Sequence, residues 1–177
     1  MKIFFTADTH FYHNKIIGLQ NRPTTIELHN EWLVDLWNST VNKKDTIYVL
    51  GDVSLGNKVN TNKMLDRLHG TKFLIEGNHD KACKNSTRFK HITQIYNFNY
   101  SPSNTHIVLC HYPIASWERR VHGSYHLYGH THGRFQNQGL SFDAGLDANN
   151  WRILSLEEVL EKFNLMKKEN EENTHTS

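Results

Sequence analysis

Cysteine is scarce in this chain: its 177 residues include two, Cys83 and Cys110. They form no C-x-x-C pair and cannot build a disulfide framework, which argues against a stapled scaffold and against a thiolate zinc site. An excess of one charge is missing too. Twenty Lys and Arg stand against 18 Asp and Glu, a formal net charge of +2. With no run of like charge either, the chain gives no strong signal of nucleic-acid binding. No stretch approaches the roughly 18 apolar residues that span a bilayer. The opening run Ile3-Phe4-Phe5 meets an acid at Asp8, too early for a secretory signal. These absences lead us to expect a cytoplasmic protein with no membrane association. The composition, 37% hydrophobic and 21% charged, is that of an ordinary globular chain, and its length suits one domain with a proper core.

What the sequence does have is histidine, 13 in all, several in short spaced pairs. Histidine is the commonest metal ligand and a common acid or base near neutral pH, so its placement along the chain matters. Lys2–Ala7, Asp45–Leu50 and Lys72–Ile75 read as short buried strands. Between the first two, Thr24 and Glu27 read as a capping box after Pro23, opening a helix with Leu33, Leu36, Trp37 and Val41 on one face. A shorter helix over about Asn60–Leu68 ends at Gly70. This β-α-β-α-β order favours a parallel sheet covered by helices. The second half changes character. Ile95–Tyr100, His106–Cys110, His126–Tyr128 and roughly Arg134–Phe142 suggest a second, more antiparallel sheet. Ser155 and Glu158 form another capping box, before a helix whose apolar face is Leu156, Val159, Leu160 and Phe163. The folded domain is expected over residues 1–166, with 167–177 a flexible, solvated tail.

Three of the predicted strands run into polar residues of one kind: Asp8-Thr9-His10, Gly51-Asp52 and Gly77-Asn78-His79-Asp80. Ligands collect at the carboxyl ends of strands in open α/β sheets, so Asp8, Asp52 and Asn78 are expected to meet. Asp8 and His10 share the i, i+2 spacing that points two side chains the same way in extended chain. The second half adds His111-Tyr112-Pro113 after a strand and Gly129-His130-Thr131-His132-Gly133. Carboxylate, amide and imidazole donors without thiolate suit a divalent ion such as Mn²⁺, Fe, Zn²⁺, Co²⁺ or Ni²⁺.

The ordered series Asp-x-His, Gly-Asp, Gly-Asn-His-Asp, His-x-Pro and Gly-His-Thr-His resembles the calcineurin-like metallophosphoesterase superfamily, over roughly residues 3–155. The opening, through Asn21-Arg22-Pro23, looks most like its small single-domain bacterial and phage members. The resemblance implies an α/β fold, a four-layer α/β/β/α sandwich with two mixed sheets and a dinuclear site on the loops above them. Carried over, Asp8, His10 and His132 take one metal, Asn78, His111 and His130 the other, and Asp52 bridges both. Two divalent ions are implied, Mn²⁺ favoured. The implied activity is hydrolysis of a phosphate ester by a metal-bridging hydroxide, with His79 as the catalytic acid and Asp80 an orienting partner or a plain cap. Val53-Ser54-Leu55 follows Gly-Asp where Ser/Thr protein phosphatases carry an Arg-rich continuation, which weakens that reading. A small phosphorylated substrate, a phosphodiester or nucleotide, is favoured over a monoester. The alternative of another class is a non-catalytic metal-holding scaffold. For substrate contacts the candidates are His13, Asn14, Arg22, Arg119, Arg120, His122 and His126, each weighed against a loop or surface role. Cys110 and the Leu156–Phe163 stripe are read as core.

Overall fold

The computed structural model describes residues 1–22, 25–135 and 139–175. The first sheet has strand order β4-β3-β2-β1-β9. Its strands are β1 (Ile3–Thr6), β2 (Thr46–Val49), β3 (Thr71–Ile75), β4 (His91–Thr93) and β9 (Leu154–Ser155). The first four run parallel and β9 is antiparallel. The second sheet, β5 (Ile95–Tyr100), β6 (Thr105–Cys110), β7 (Tyr125–Tyr128) and β8 (Ser141–Asp143), lies in that order. Its β5–β6 pair is antiparallel and the other pairs parallel. Two mixed sheets with helices thus form the expected α/β sandwich.

Alternation along the strands builds two cores. Phe4, Ile47, Val49 and Leu74 turn toward α2 (Ile26–Thr40) and α3 (Lys58–Arg67), meeting Leu33, Trp37, Met64 and Leu65. Phe5, Tyr48, Leu50 and Ile75 turn the other way, onto Ile107, Leu109, Leu127 and Phe142 of the second sheet. Helix α4 (Leu156–His175) adds Leu156, Val159 and Phe163 to that inter-sheet core, with Phe163 stacked on Tyr125. Fully burying each such side chain contributes about 1.5–3 kcal/mol. Cys110 is buried, as read from the sequence.

The caps differ from expectation in one case. Thr25 caps α2, its hydroxyl accepting the Leu28 N–H at 3.2 Å; Thr24 lies outside the described residues. The Ser155–Glu158 box is reciprocal, with Ser155 N–H donating to the Glu158 carboxylate at 2.8 Å and Glu158 N–H to Ser155 Oγ at 3.2 Å. Two strands and one α-helix lie outside the expected elements: β4, β9 and α1 (Asn14–Gln20). The strand read over Arg134–Phe142 is three residues, Ser141–Asp143, with Arg134 and Phe135 outside it. Helix α4 carries on past Lys167 to His175, so residues 167–175 of the segment read as a tail are helical, with Lys168, Glu169, Glu171 and Glu172 exposed; residues 176–177 lie outside the described residues.

Candidate metal centre

Beyond the ends of β1 and β2 the chain stays zipped. Asp8 N–H donates to Gly51 O at 3.0 Å, His10 N–H to Asp52 O at 2.9 Å and Phe11 N–H to Val53 O at 2.9 Å. In the second sheet Gly129 N–H donates to His111 O at 2.9 Å. The strand exits of both sheets therefore meet at one rim, and the seven candidate ligands converge there. The route is not the extended one expected. Asp8, His10, Asp52, His130 and His132 all sit in the left-handed region, at φ of 58°, 51°, 55°, 68° and 50°. Asp and His tolerate that region better than most residues, yet each such position costs about 1 kcal/mol or more. Strain of this kind concentrates where function demands a fixed geometry.

Two glycines let the rim close. A Cβ on Gly51, itself at φ +85°, would lie 2.4 Å from His111 Nδ1, and one on Gly77 would lie 2.4 Å from Asp52 Oδ1. Both would collide with the candidate ligands themselves.

The donors fall into two groups whose ligand atoms lie within 4.8 Å of one another: Asp8, His10 and His132, and Asp52, His111 and His130. Asn78 joins the second through its Oδ1, 3.2 Å from His111 Nε2. Asp52 faces both groups, with Oδ2 3.8 Å from His10 Nε2 and Oδ1 3.5 Å from His111 Nε2. Far-side partners aim the rings. His111 Nδ1 donates to Leu50 O at 2.7 Å, His132 Nδ1 meets Asp147 Oδ2 at 2.5 Å, and His10 Nδ1 pairs with His13 Nδ1 at 3.2 Å. Such contacts leave Nε2 directed at the site.

The donor set fits divalent cations. Asp8 Oδ1 and His10 Nε2 are buried and have no hydrogen-bond partner among the described residues, an arrangement that is costly unless a ligand completes it. Burial, then repulsion from Asp143 and Asp52, pushes the Asp8 carboxyl well above the usual range. Burial, then the Arg22 guanidinium, pushes His10 far below the usual imidazole value. Burial, then His111, lowers His130. Crowded carboxylates call for positive charge, and neutral imidazole is the ligating form.

Four side chains brace the rim. Asp80 accepts N–H groups from Asp52, Val53 and Gly77 at 2.9, 2.8 and 2.8 Å. Its carboxylate ties two strand exits together and does not orient the His79 ring; burial raises its pKa even so. Asp143 accepts from Thr131 Oγ1, Gly133 N and Gly145 N. Arg22 donates to Asp8 O at 2.7 Å, Thr9 O at 2.9 Å and Asp147 Oδ2 at 2.7 Å. For Asp147, burial would raise the pKa, but the bonds from His132 and Arg22 outweigh it and lower it. Asp143 and Asp147 were not singled out from sequence. Their one visible sign is the polar pair spaced by Ala-Gly-Leu after a strand.

The substrate candidates divide. His13 lies beside the centre, its ring 5.0 Å from that of His10 and 5.9 Å from that of His79, and Asn14 follows it, exposed, at the start of α1. Arg22 does not pair on the surface: its side chain is buried and its N–H groups bond the rim. His126 is also corrected, being buried between Val108 O and Ile114 N–H. Arg119 and His122 line a pocket with Thr105 and Tyr125, the starts of β6 and β7, whereas the ligands follow the ends of those strands. Arg120 lies over the Trp117 ring. Arg119 and His122 thus lie at the opposite ends of β6 and β7 from the candidate ligands. His79 does stand beside them, its side chain 41% exposed with Nε2 3.9 Å from Asp52 Oδ2.

A sandwich that turns carboxylates, an amide and imidazoles to one rim has the build of a metal-dependent phosphoesterase. The chain belongs to the calcineurin-like phosphoesterase family, whose model matches residues 1–111. It is similar to the uncharacterised protein MJ1445 of Methanocaldococcus jannaschii, 30% identical over 169 residues, with 90% of this chain and 89% of that one covered. It is similar to the Gene 66 protein of mycobacterium phage L5, 26% identical over 207 residues and 98% of each chain. Among solved structures it shares its fold with AQ665 of Aquifex aeolicus, a protein of unknown function, at TM-score 0.70 and 22% identity, over 90% of this chain and 98% of that chain.

Proposed function

We propose that the protein hydrolyses a phosphodiester at a dinuclear centre. Asp8, His10 and His132 would hold one divalent ion, Asn78, His111 and His130 the second, and Asp52 both. The observation that carries this reading is Asp52, which turns one carboxylate oxygen toward each group of donors. When bound, two divalent ions would supply positive charge to phosphoryl oxygens and lower the pKa of the attacking water. In the reaction a water gives a proton to solvent and its oxygen bonds to phosphorus, the bond to the leaving oxygen breaks, and that oxygen takes up a proton. His79 is the donor of that proton: it is solvent-facing, adjacent to Asp52, and held by its own N–H donating to Asp52 Oδ1 at 2.9 Å. Asp80 keeps the Asn78-His79 loop against the Asp52 loop, so acid and ligands move as one body. Mn²⁺ is the ion favoured by the family resemblance, and Fe, Zn²⁺, Co²⁺ and Ni²⁺ also suit this oxygen- and nitrogen-donor set.

The test pairs metal analysis with turnover. Purified protein is loaded with Mn²⁺, its ions are counted by mass spectrometry, and mono- and diesters are assayed with and without chelator. Two ions per chain and chelator-sensitive diester hydrolysis are expected. Two ions with no turnover of any ester would leave the metal-holding scaffold instead.

A further inference from the structure

His79 has neighbours that the proposed reaction does not yet use. A cavity of about 510 Å³ opens beside it, lined among others by Leu55, Lys58, Asn78, Lys81 and Ala82. That volume is in the range of small-molecule sites. Its position gives it meaning: the proton donor must face the oxygen that departs, so the fragment leaving with that oxygen lies on the His79 side. The lining includes no Asp or Glu, and two lysines supply its charge. Neither Lys58 nor Lys81 forms an ion pair among the described residues. Leu55, 39% exposed, and Ala82 give a small apolar surface between them.

We infer that this cavity receives the leaving fragment of the substrate, and that the fragment carries a second anionic group, a phosphate, held by Lys58 and Lys81. The inference rests on the proposed hydrolysis for its orientation. The preferred substrate is then a diester bearing a further phosphate on its leaving alcohol, such as the end of a phosphorylated short nucleotide chain. A plain diester lacks the group the lysines would hold.

Three dithymidine diesters test this on the Mn²⁺-loaded full chain: one with no end phosphate, and two with an end phosphate on either nucleoside. One phosphorylated form is expected to exceed the plain one by about fivefold to tenfold in kcat/KM, as two charge-assisted contacts in a solvent-open pocket allow. The Lys58→Ala/Lys81→Ala variant should bring that ratio to one, and high salt should shrink it. The ratio is the readout, so a general loss of rate does not decide the outcome. A ratio of one in the unaltered protein, or one that survives the double variant, overturns the inference. If no diester turns over, the proposed reaction fails and calorimetric binding of thymidine bisphosphate decides the pocket separately. Weaker binding by the variant supports it, and equal binding rejects it.

Discussion

The two halves of the centre are built differently. Asp8 and His10 are buried, and His132 is mostly covered, backed by Asp147 and the Arg22 guanidinium. In the other half Asp52 and His111 are buried, but His130 and Asn78 face solvent. One half is enclosed by its own bracing and the other opens toward the cavity beside His79. A buried, braced set of donors retains its ion, whereas an open set can exchange ion, water and substrate. The expected division is therefore a tight inner position and a working outer one, with Asp52 between.

Removing the link between the halves should have the largest effect. Asp52→Asn is expected to lower kcat/KM on the order of 10³-fold or more, with fewer than two ions retained by metal analysis. Wild-type rates in that variant would refute the shared role. Next, His79→Ala should lower kcat by about 10²-fold while the metal count stays at two; a loss of metal instead would make His79 a ligand. Asp147→Asn should act on the inner half alone, weakening one ion by about tenfold to a hundredfold. Titration with Mn²⁺ should then show one altered step and one unaltered step. Two equally altered steps would erase the distinction between the halves.

The smallest effect concerns pH. Arg22 bonds the ring nitrogen of His29 at 3.1 Å, which requires His29 to be neutral. Burial, then Arg22, lowers its pKa to about 4. The unfolded chain takes up a proton near pH 6.5 that the folded chain refuses, so this contribution is full above about 6.5 and is lost as pH falls toward 4. The slope of Tm against pH across that window should flatten in His29→Gln. Parallel slopes would take His29 out of the account.

The sequence made the strands legible because each is a short apolar run ending in a polar residue at a sheet rim. It hid β4 and β9, which are three and two residues long and too short for any alternation. Helix α1 buries Ile16 alone, so its pattern is as faint. The candidate ligands could be picked out because their types recur at strand exits, but the left-handed backbone that gathers them has no mark in the spacing. Arg22 and Asp147 brace the rim through a contact far apart in the chain, and Asp143 through backbone and hydroxyl partners across a turn. No local pattern announces such partners. Arg119 and His122 read as substrate-contact candidates because loop direction is invisible in sequence; the chain carries them to the starts of β6 and β7.

Asp80 has one more consequence. Its three backbone bonds hold the Asp52 and Asn78 loops in place by contacts within the protein. The left-handed turn at Asp52 is thus tied to the Gly77 loop by contacts within the protein. Metal uptake should then be a docking event into a preformed cage, with a rate governed by how quickly the ion sheds its water. Little change in circular dichroism should accompany it.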